Sequence, residues 1–114
     1  METNELVQKI CKAASNTKAN NIIIMDMRGI MFSTDYFVIC HAATSTQVRA
    51  IADNIEEELE KDNRRFNHRE GYHEGEWILL DYGDVVAHIF RTESREYYAL
   101  EKLWGDAEIK NYEE

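Results

Sequence analysis

Proline is absent from the chain, and no linker, repeat or low-complexity stretch divides it. With 114 residues, 44% of them apolar, and nothing to mark a boundary, a single domain over residues 1–114 is expected, its core spanning about 4–107. No run reaches the roughly 18 apolar residues that a membrane-crossing helix needs. The opening M-E-T-N-E-L-V-Q-K-I has neither a basic n-region nor a long apolar core, so a soluble, cytoplasmic protein is expected. Cysteine is scarce. Cys11 and Cys40 stand far apart without C-x-x-C spacing, which removes the usual zinc and thiol-redox signatures and leaves two buried thiols in a reducing compartment. Positive charge is also in the minority, with 13 Lys and Arg against 22 Asp and Glu and a formal net charge of −9. Such a chain repels a phosphate backbone, and its one dense basic group, Arg64, Arg65, His68 and Arg69, is too small to reverse that. Little direct nucleic-acid contact is expected, and a basic protein surface is the natural match.

What is present is strongly patterned. Leu6, Val7, Ile10, Cys11 and Ala14 recur at helical spacing and predict an amphipathic helix over 4–18, ended by Asn20-Asn21. Ile22–Met25 and Tyr36–Cys40 are unbroken apolar runs of the kind found in central strands covered on both faces, and Arg28-Gly29 turns the chain between them. Thr44 and Gln47 have the spacing of a capping box. The helix that starts there buries Val48, Ile51, Ala52, Ile55 and Leu59 and leaves Glu56, Glu57, Glu58 and Glu60 on its wet side. A short extended piece around Phe66–Glu70 leads through Gly71 and Gly75 to two strands, Trp77–Leu80 and Val85–Phe90, reversed by Tyr82-Gly83. Alternation sets Trp77 and Leu79 opposite Ile78 and Leu80, and Val85, Ala87 and Ile89 opposite Val86, His88 and Phe90, so both faces of this hairpin need cover. A last helix over Glu93–Trp104 is closed by Gly105. It turns Tyr97, Leu100 and Trp104 inward, leaves Tyr98 half exposed among Arg95, Glu101 and Lys102, and gives way to an acidic, frayed tail.

Chemistry is harder to assemble. Asp35 precedes a strand, but two-metal nucleotidyl transfer needs a second carboxylate two residues on, and that residue is Phe37. His68, Glu70, His73 and Glu74 cluster in sequence without matching an established metal spacing, so no metal or other cofactor is expected. His88 lies on a strand face between Val86 and Phe90, where a hydrogen-bonded or partner-facing imidazole fits better than a catalytic base. Ser33 and Ser45 lack a base and a nucleophile elbow. Asp81 and Asp84 suit two roles, as acceptors for backbone amides at a reversal or as anionic contacts for another molecule. Large amphipathic aromatics gather in the C-terminal third: Trp77, Tyr82, Phe90, Tyr97, Tyr98 and Trp104. Such rings also dominate protein interfaces, and acids interleaved with them select a basic partner.

Three segments carry a family likeness. D-Y-F-V-I-C-H-A-A-T-S-T-Q-V-R-A-I-A-D-N-I-E-E, then G-E-W-I-L-L-D-Y-G-D-V-V-A-H-I-F and R-E-Y-Y-A-L-E-K-L-W, resemble the ribosomal silencing factors, or Iojap family, over residues 4–107. Ala87 and His41 depart from the pattern, standing where Val and a small polar residue are expected. The resemblance implies an α/β fold with a mixed five-stranded sheet flanked by helices, similar to a nucleotidyltransferase without its catalytic carboxylate pair. It also implies a non-enzymatic factor that binds the large ribosomal subunit through its fourteenth ribosomal protein, blocks joining of the small subunit and represses translation under nutrient limitation. The matching partner surface comprises Trp77, Asp81, Tyr82, Asp84, His88, Phe90, Arg95, Glu96, Tyr97, Tyr98 and Glu101. Two other readings stay open: a metal-dependent nucleotidyltransferase-like enzyme using Asp35, and a homodimer, weak or structural, formed through spare apolar surface on the hairpin.

Overall fold

The computed structural model, which describes residues 1–113, places the unbroken apolar runs at the middle of one sheet. The elements are α1 (Thr3–Asn16), β1 (Asn20–Asp26), β2 (Tyr36–Ala42), α2 (Ser45–Glu60), β3 (His68–Glu70), β4 (Trp77–Asp81), β5 (Val85–Arg91), α3 (Thr92–Tyr98), α4 (Leu100–Leu103) and β6 (Glu108–Asn111). Strand order is β3-β4-β5-β2-β1-β6. Among the described residues only β2 and β5 run parallel, in register from Tyr36 opposite Val85 to Ala42 opposite Arg91, and the other pairings are antiparallel. A parallel pair has to be joined by a long crossover, and α2 with the β3–β4 hairpin supplies it.

Period-two alternation divides the core as the sequence predicts. On one face Val38, Cys40, Ile78, Leu80, Val85, Ala87 and Ile89 meet the apolar stripes of α1 and α2. On the other, Ile23, Met25, Phe37, Ile39, Val86 and Phe90 lie beneath Leu100, Ala107 and the partly buried Met31 and Trp104. Each fully buried side chain of this size contributes roughly 1.5–3 kcal/mol from apolar transfer, so the doubly covered strands dominate the stability. The thiols of Cys11 and Cys40 sit in the first cluster, where burial pushes both up to about 12. Among the described residues no helix is long and apolar enough to cross a membrane.

Local signals explain the helix ends. The Thr44 hydroxyl accepts from the Gln47 amide at 3.1 Å, as a capping residue should. The Gln47 side chain does not return to close the box; it donates to the Thr17 carbonyl, and Asn54 Nδ2 donates to Ala13 O at 2.9 Å, so α2 is tied to the last turn of α1.

The structure corrects the sequence reading in four places. The sheet has a sixth strand, because Glu108–Asn111, expected to fray, pairs along the free edge of β1. Its side chains are all exposed, so backbone pairing rather than an apolar pattern makes it a strand. The C-terminal helix is broken at Ala99, which adopts left-handed φ 46 and ψ 55 between α3 and α4. That break rotates Tyr97 out of the expected inward stripe to 83% exposure, while Leu100 remains buried. Finally, the reversal is centred on Gly83-Asp84, one residue later than expected, because Asp81 pairs with Val86 and the Tyr82 amide donates to Val85 O at 2.9 Å.

Gly71 directly follows β3 with φ +77, and a Cβ there would overlap the Trp77 carbonyl oxygen. Gly83 has φ +89 but more room, with Asn67 Nδ2 3.4 Å from an added Cβ. Gly71→Ala should therefore lower the unfolding free energy by about 2 kcal/mol or more, against about 1 kcal/mol for Gly83→Ala, where only the left-handed backbone is strained. Urea titration of the two variants checks the ranking.

Candidate partner-binding site

β4 and β5 set the geometry. Trp77 opens β4 and lies directly opposite Phe90, so their rings stack across the strands at 4.9 Å and 29°. His88 lies two residues before Phe90 on the same face. The Trp77 indole Nε1 donates to His88 Nδ1 at 3.1 Å, and Phe37 meets the imidazole edge-on at 4.4 Å. A ring that accepts at Nδ1 carries its proton on Nε2 when neutral. Burial alone drives the His88 pKa down to about 3, so the imidazole is an uncharged acceptor that orients Trp77. Its Nε2 has no hydrogen-bond partner among the described residues.

Tyr98 covers the outer side of this stack. Its ring lies 4.7 Å from Trp77 at 47°, and it keeps about half its surface in water. Tyr97 meets Tyr98 edge-to-face at 5.1 Å and stands almost free, with Leu103 exposed on α4 nearby in the chain. Acids surround the rings: Glu93 and Glu96 on α3 are exposed, and Arg91 is already engaged by Glu76 and Glu93 at 3.2 Å each. An apolar, hydrogen-bonding patch rimmed by negative charge results.

Several residues expected on this surface lie inside. Tyr82 and Phe90 are sealed in opposite cores, because a bend shifted to Gly83-Asp84 turns Tyr82 under the α2 side while Phe90 lies beneath Trp77 and Tyr98. His88 is buried as described. Arg95 is also buried. Its Nη1 donates to Asn21 O at 2.7 Å and lies 2.9 Å from His41 Nδ1, and its Nε donates to the partly exposed Glu101 at 3.3 Å. Burial and the neighbouring guanidinium lower the pKa of His41, which keeps that ring neutral beside Arg95. Arg95 thus ties α3 to the sheet and to α4. Asp81 serves the bend, its Oδ1 accepting from the Gly83 amide at 2.8 Å, while Asp84 is exposed and accepts from the Thr3 hydroxyl at 3.2 Å. Trp77, Asp81, Asp84, Glu96, Tyr97, Tyr98 and Glu101 remain accessible in whole or part. Sequence reasoning missed Leu103 and the exposed Ile30 and Phe32, which follow the Arg28-Gly29 turn; apolar residues beside a glycine turn and outside any periodic stripe were the available signal.

His68 Nε2 pairs with Glu70 Oε2 at 2.7 Å on the exposed edge strand, and among the described residues no three His, Cys, Asp or Glu side chains are grouped to hold a metal ion. Phe37, two residues beyond Asp35, is packed edge-on against Trp104 at 5.4 Å.

The family model described as "Ribosomal silencing factor during starvation" matches residues 1–114. The chain belongs to the ribosomal silencing factor family. The ribosomal silencing factor of Bacillus subtilis (strain 168) is 44% identical over 104 residues, covering 90% of this chain and 88% of that protein. The one from Halalkalibacterium halodurans is 40% identical over 107 residues, covering 94% and 92%. A crystal structure of a protein from Chromobacterium violaceum superposes with a TM-score of 0.89 at 30% identity, covering 92% of this chain and 88% of that one. The mixed sheet described above is therefore a ribosomal silencing factor fold.

The buried imidazole makes a pH prediction. The folded pKa of His88, about 3, lies below the ordinary value of 6.5, so the fold excludes a proton that the unfolded chain accepts. Its contribution to stability is whole above pH 6.5 and is lost as pH falls toward 3, at up to about 1.4 kcal/mol per pH unit. Urea unfolding at successive pH values should show a steeper acid loss for the wild type than for His88→Gln, and parallel curves would contradict it.

Proposed function

We propose that this ribosomal silencing factor represses translation as an obstacle. It binds the large ribosomal subunit through the fourteenth large-subunit ribosomal protein and stands where the small subunit would join, with no chemical turnover. The observation that carries this reading is the exposed pair Tyr97 and Tyr98, backed by Trp77 and rimmed by Glu93 and Glu96. Tyrosine and tryptophan bury large areas at low entropic cost and keep a polar tip, which makes them frequent anchors of interfaces. The negative rim favours a basic ribosomal protein over RNA, since phosphates would be repelled by a chain of net charge −9. The family membership and the silencing-factor names of the relatives support the same reading.

The partner-facing set is Trp77, Asp84, Glu96, Tyr97 and Tyr98. Tyr82, His88, Phe90 and Arg95 act from beneath by holding the rings in place, and Asp81 and Glu101 hold the bend and α3. A catalytic alternative would need Asp35 to work with a partner carboxylate, and Phe37 occupies the position where that partner would stand.

Sucrose-gradient sedimentation of purified subunits is the test. The wild type should reduce the amount of joined ribosome, and Tyr98→Ala should weaken large-subunit binding by about 1–2 kcal/mol, near a tenfold change, while still unfolding cooperatively in urea. Undiminished joining in the presence of excess wild-type protein refutes the reading. So does magnesium-dependent transfer of labelled nucleotide that disappears in Asp35→Ala.

A further inference from the structure

We propose that the loop between β1 and β2 carries a second anchor for the same protein partner, with Phe32 at its tip. The inference rests on the reading that the Tyr97–Tyr98 surface docks on a basic protein. Phe32 is fully exposed at 112% and Ile30 is 39% exposed. A ring that stays wet on folding gains no transfer energy from the fold, so its apolar surface is unused within the monomer.

The loop that presents it is well tied down. Met27 is completely buried, and the amides of Ile30 and Met31 both donate to its carbonyl at 3.0 Å. At the neck the Met27 amide donates to Asp35 O at 2.8 Å, and the Asp35 amide donates to Asp84 O at 2.8 Å, which joins the loop to the β4–β5 bend. Arg28 is held by both carboxylate oxygens of Asp26, at 3.0 and 2.7 Å. A braced loop offers its apolar tip with less ordering left to do on contact, which favours binding.

Two observations choose the occupant. Met31 packs against the same buried cluster as Trp77, Leu79 and Trp104, so the loop lies over the side of the sheet that carries Tyr98. The exposed Asp84 is tied to the neck through Asp35, and Arg28 is taken by Asp26, in a chain of net charge −9. An apolar knob on a chain of net charge −9 fits a shallow apolar depression on a basic protein. It does not fit a phosphate backbone or an anionic bilayer, both of which repel such a chain.

Co-sedimentation of the full chain with purified large ribosomal subunits tests this, using wild type, Phe32→Ser, Phe32→Tyr and Tyr98→Ala. Phe32→Ser should bind roughly tenfold more weakly while its urea midpoint stays at the wild-type value, and Phe32→Tyr should retain most of the affinity. If Tyr98→Ala is weakened and Phe32→Ser is not, the second anchor is wrong and the docking reading survives. If the wild type does not bind subunits, both fall. Light scattering that shows a dimer broken by Phe32→Ser, with subunit binding untouched, assigns the ring to a second copy and overturns the proposal. Flotation with phosphatidylglycerol vesicles that Phe32→Ser abolishes overturns it in favour of a bilayer.

Discussion

The parallel pairing of β2 with β5 is the constraint from which the rest follows. Both strands are buried on both faces, and a parallel pair cannot close through a tight turn, so the chain must spend α2 and a hairpin on the crossover. The cover is unequal. On one face α1 and α2, of 14 and 16 residues, lay complete apolar stripes over the sheet. On the other only α3 and α4, of seven and four residues, are available, helped by the loop after β1. A short broken helix cannot seal a sheet face by itself, so side chains finish the job. Trp77 stacks on Phe90, Tyr98 covers Trp77, and the outermost ring meets water. The candidate surface is the unfinished edge of the core.

Holding that edge in one arrangement requires polar work inside it. Arg95 is a charge taken out of water, and such a charge is tolerated only with partners close by. It has them in Asn21 O, His41 and Glu101, which belong to β1, β2 and α4. One side chain therefore fixes where α3 sits relative to the sheet. The Ala99 amide still closes the last turn on Arg95 O at 2.9 Å while its left-handed backbone sends α4 off in a new direction. His41 is one of the groups that receives Arg95, and its lowered pKa keeps two positive charges from meeting there.

Much of this was legible in the residues. Alternation divided Trp77–Leu80 and Val85–Phe90 between the two faces, the Thr44 cap started α2, and the apolar runs of β1 and β2 predicted two-sided cover. The failures share a cause, which is that the deciding partner lies far away in sequence. Glu108–Asn111 has no strand pattern and becomes a strand only because β1 offers a free edge. Tyr97 matched an inward stripe until a backbone break at Ala99, which no glycine announces, rotated it outward. Arg95 reads as a solvent-facing charge in a run of charges, and only the fold brings Asn21, some 74 residues earlier, to its guanidinium. The wet Phe32 was overlooked for a different reason, since a single exposed apolar residue outside a periodic stripe carries no weight in a periodicity argument.

The rings of the accessible patch differ in how much freedom a partner would still have to remove. Tyr98 already rests on Trp77, and Trp77 is held by stacking on Phe90 and by its bond to His88, so both have given up rotamer freedom when the chain folds. Immobilising a flexible side chain at an interface costs about 0.5–1.5 kcal/mol, and here that term has been absorbed by the core. Neutral His88 is what makes this possible, because a protonated imidazole could not accept the indole proton and would set an unpaired charge beneath three aromatic rings. The same burial that takes His88 away from a partner, or from acid–base chemistry, gives it a use in keeping Trp77 and Tyr98 stiff. For the steric obstacle proposed above, stiffness is the property that would matter, since a rigid obstacle loses little entropy on docking and does not bend aside once seated.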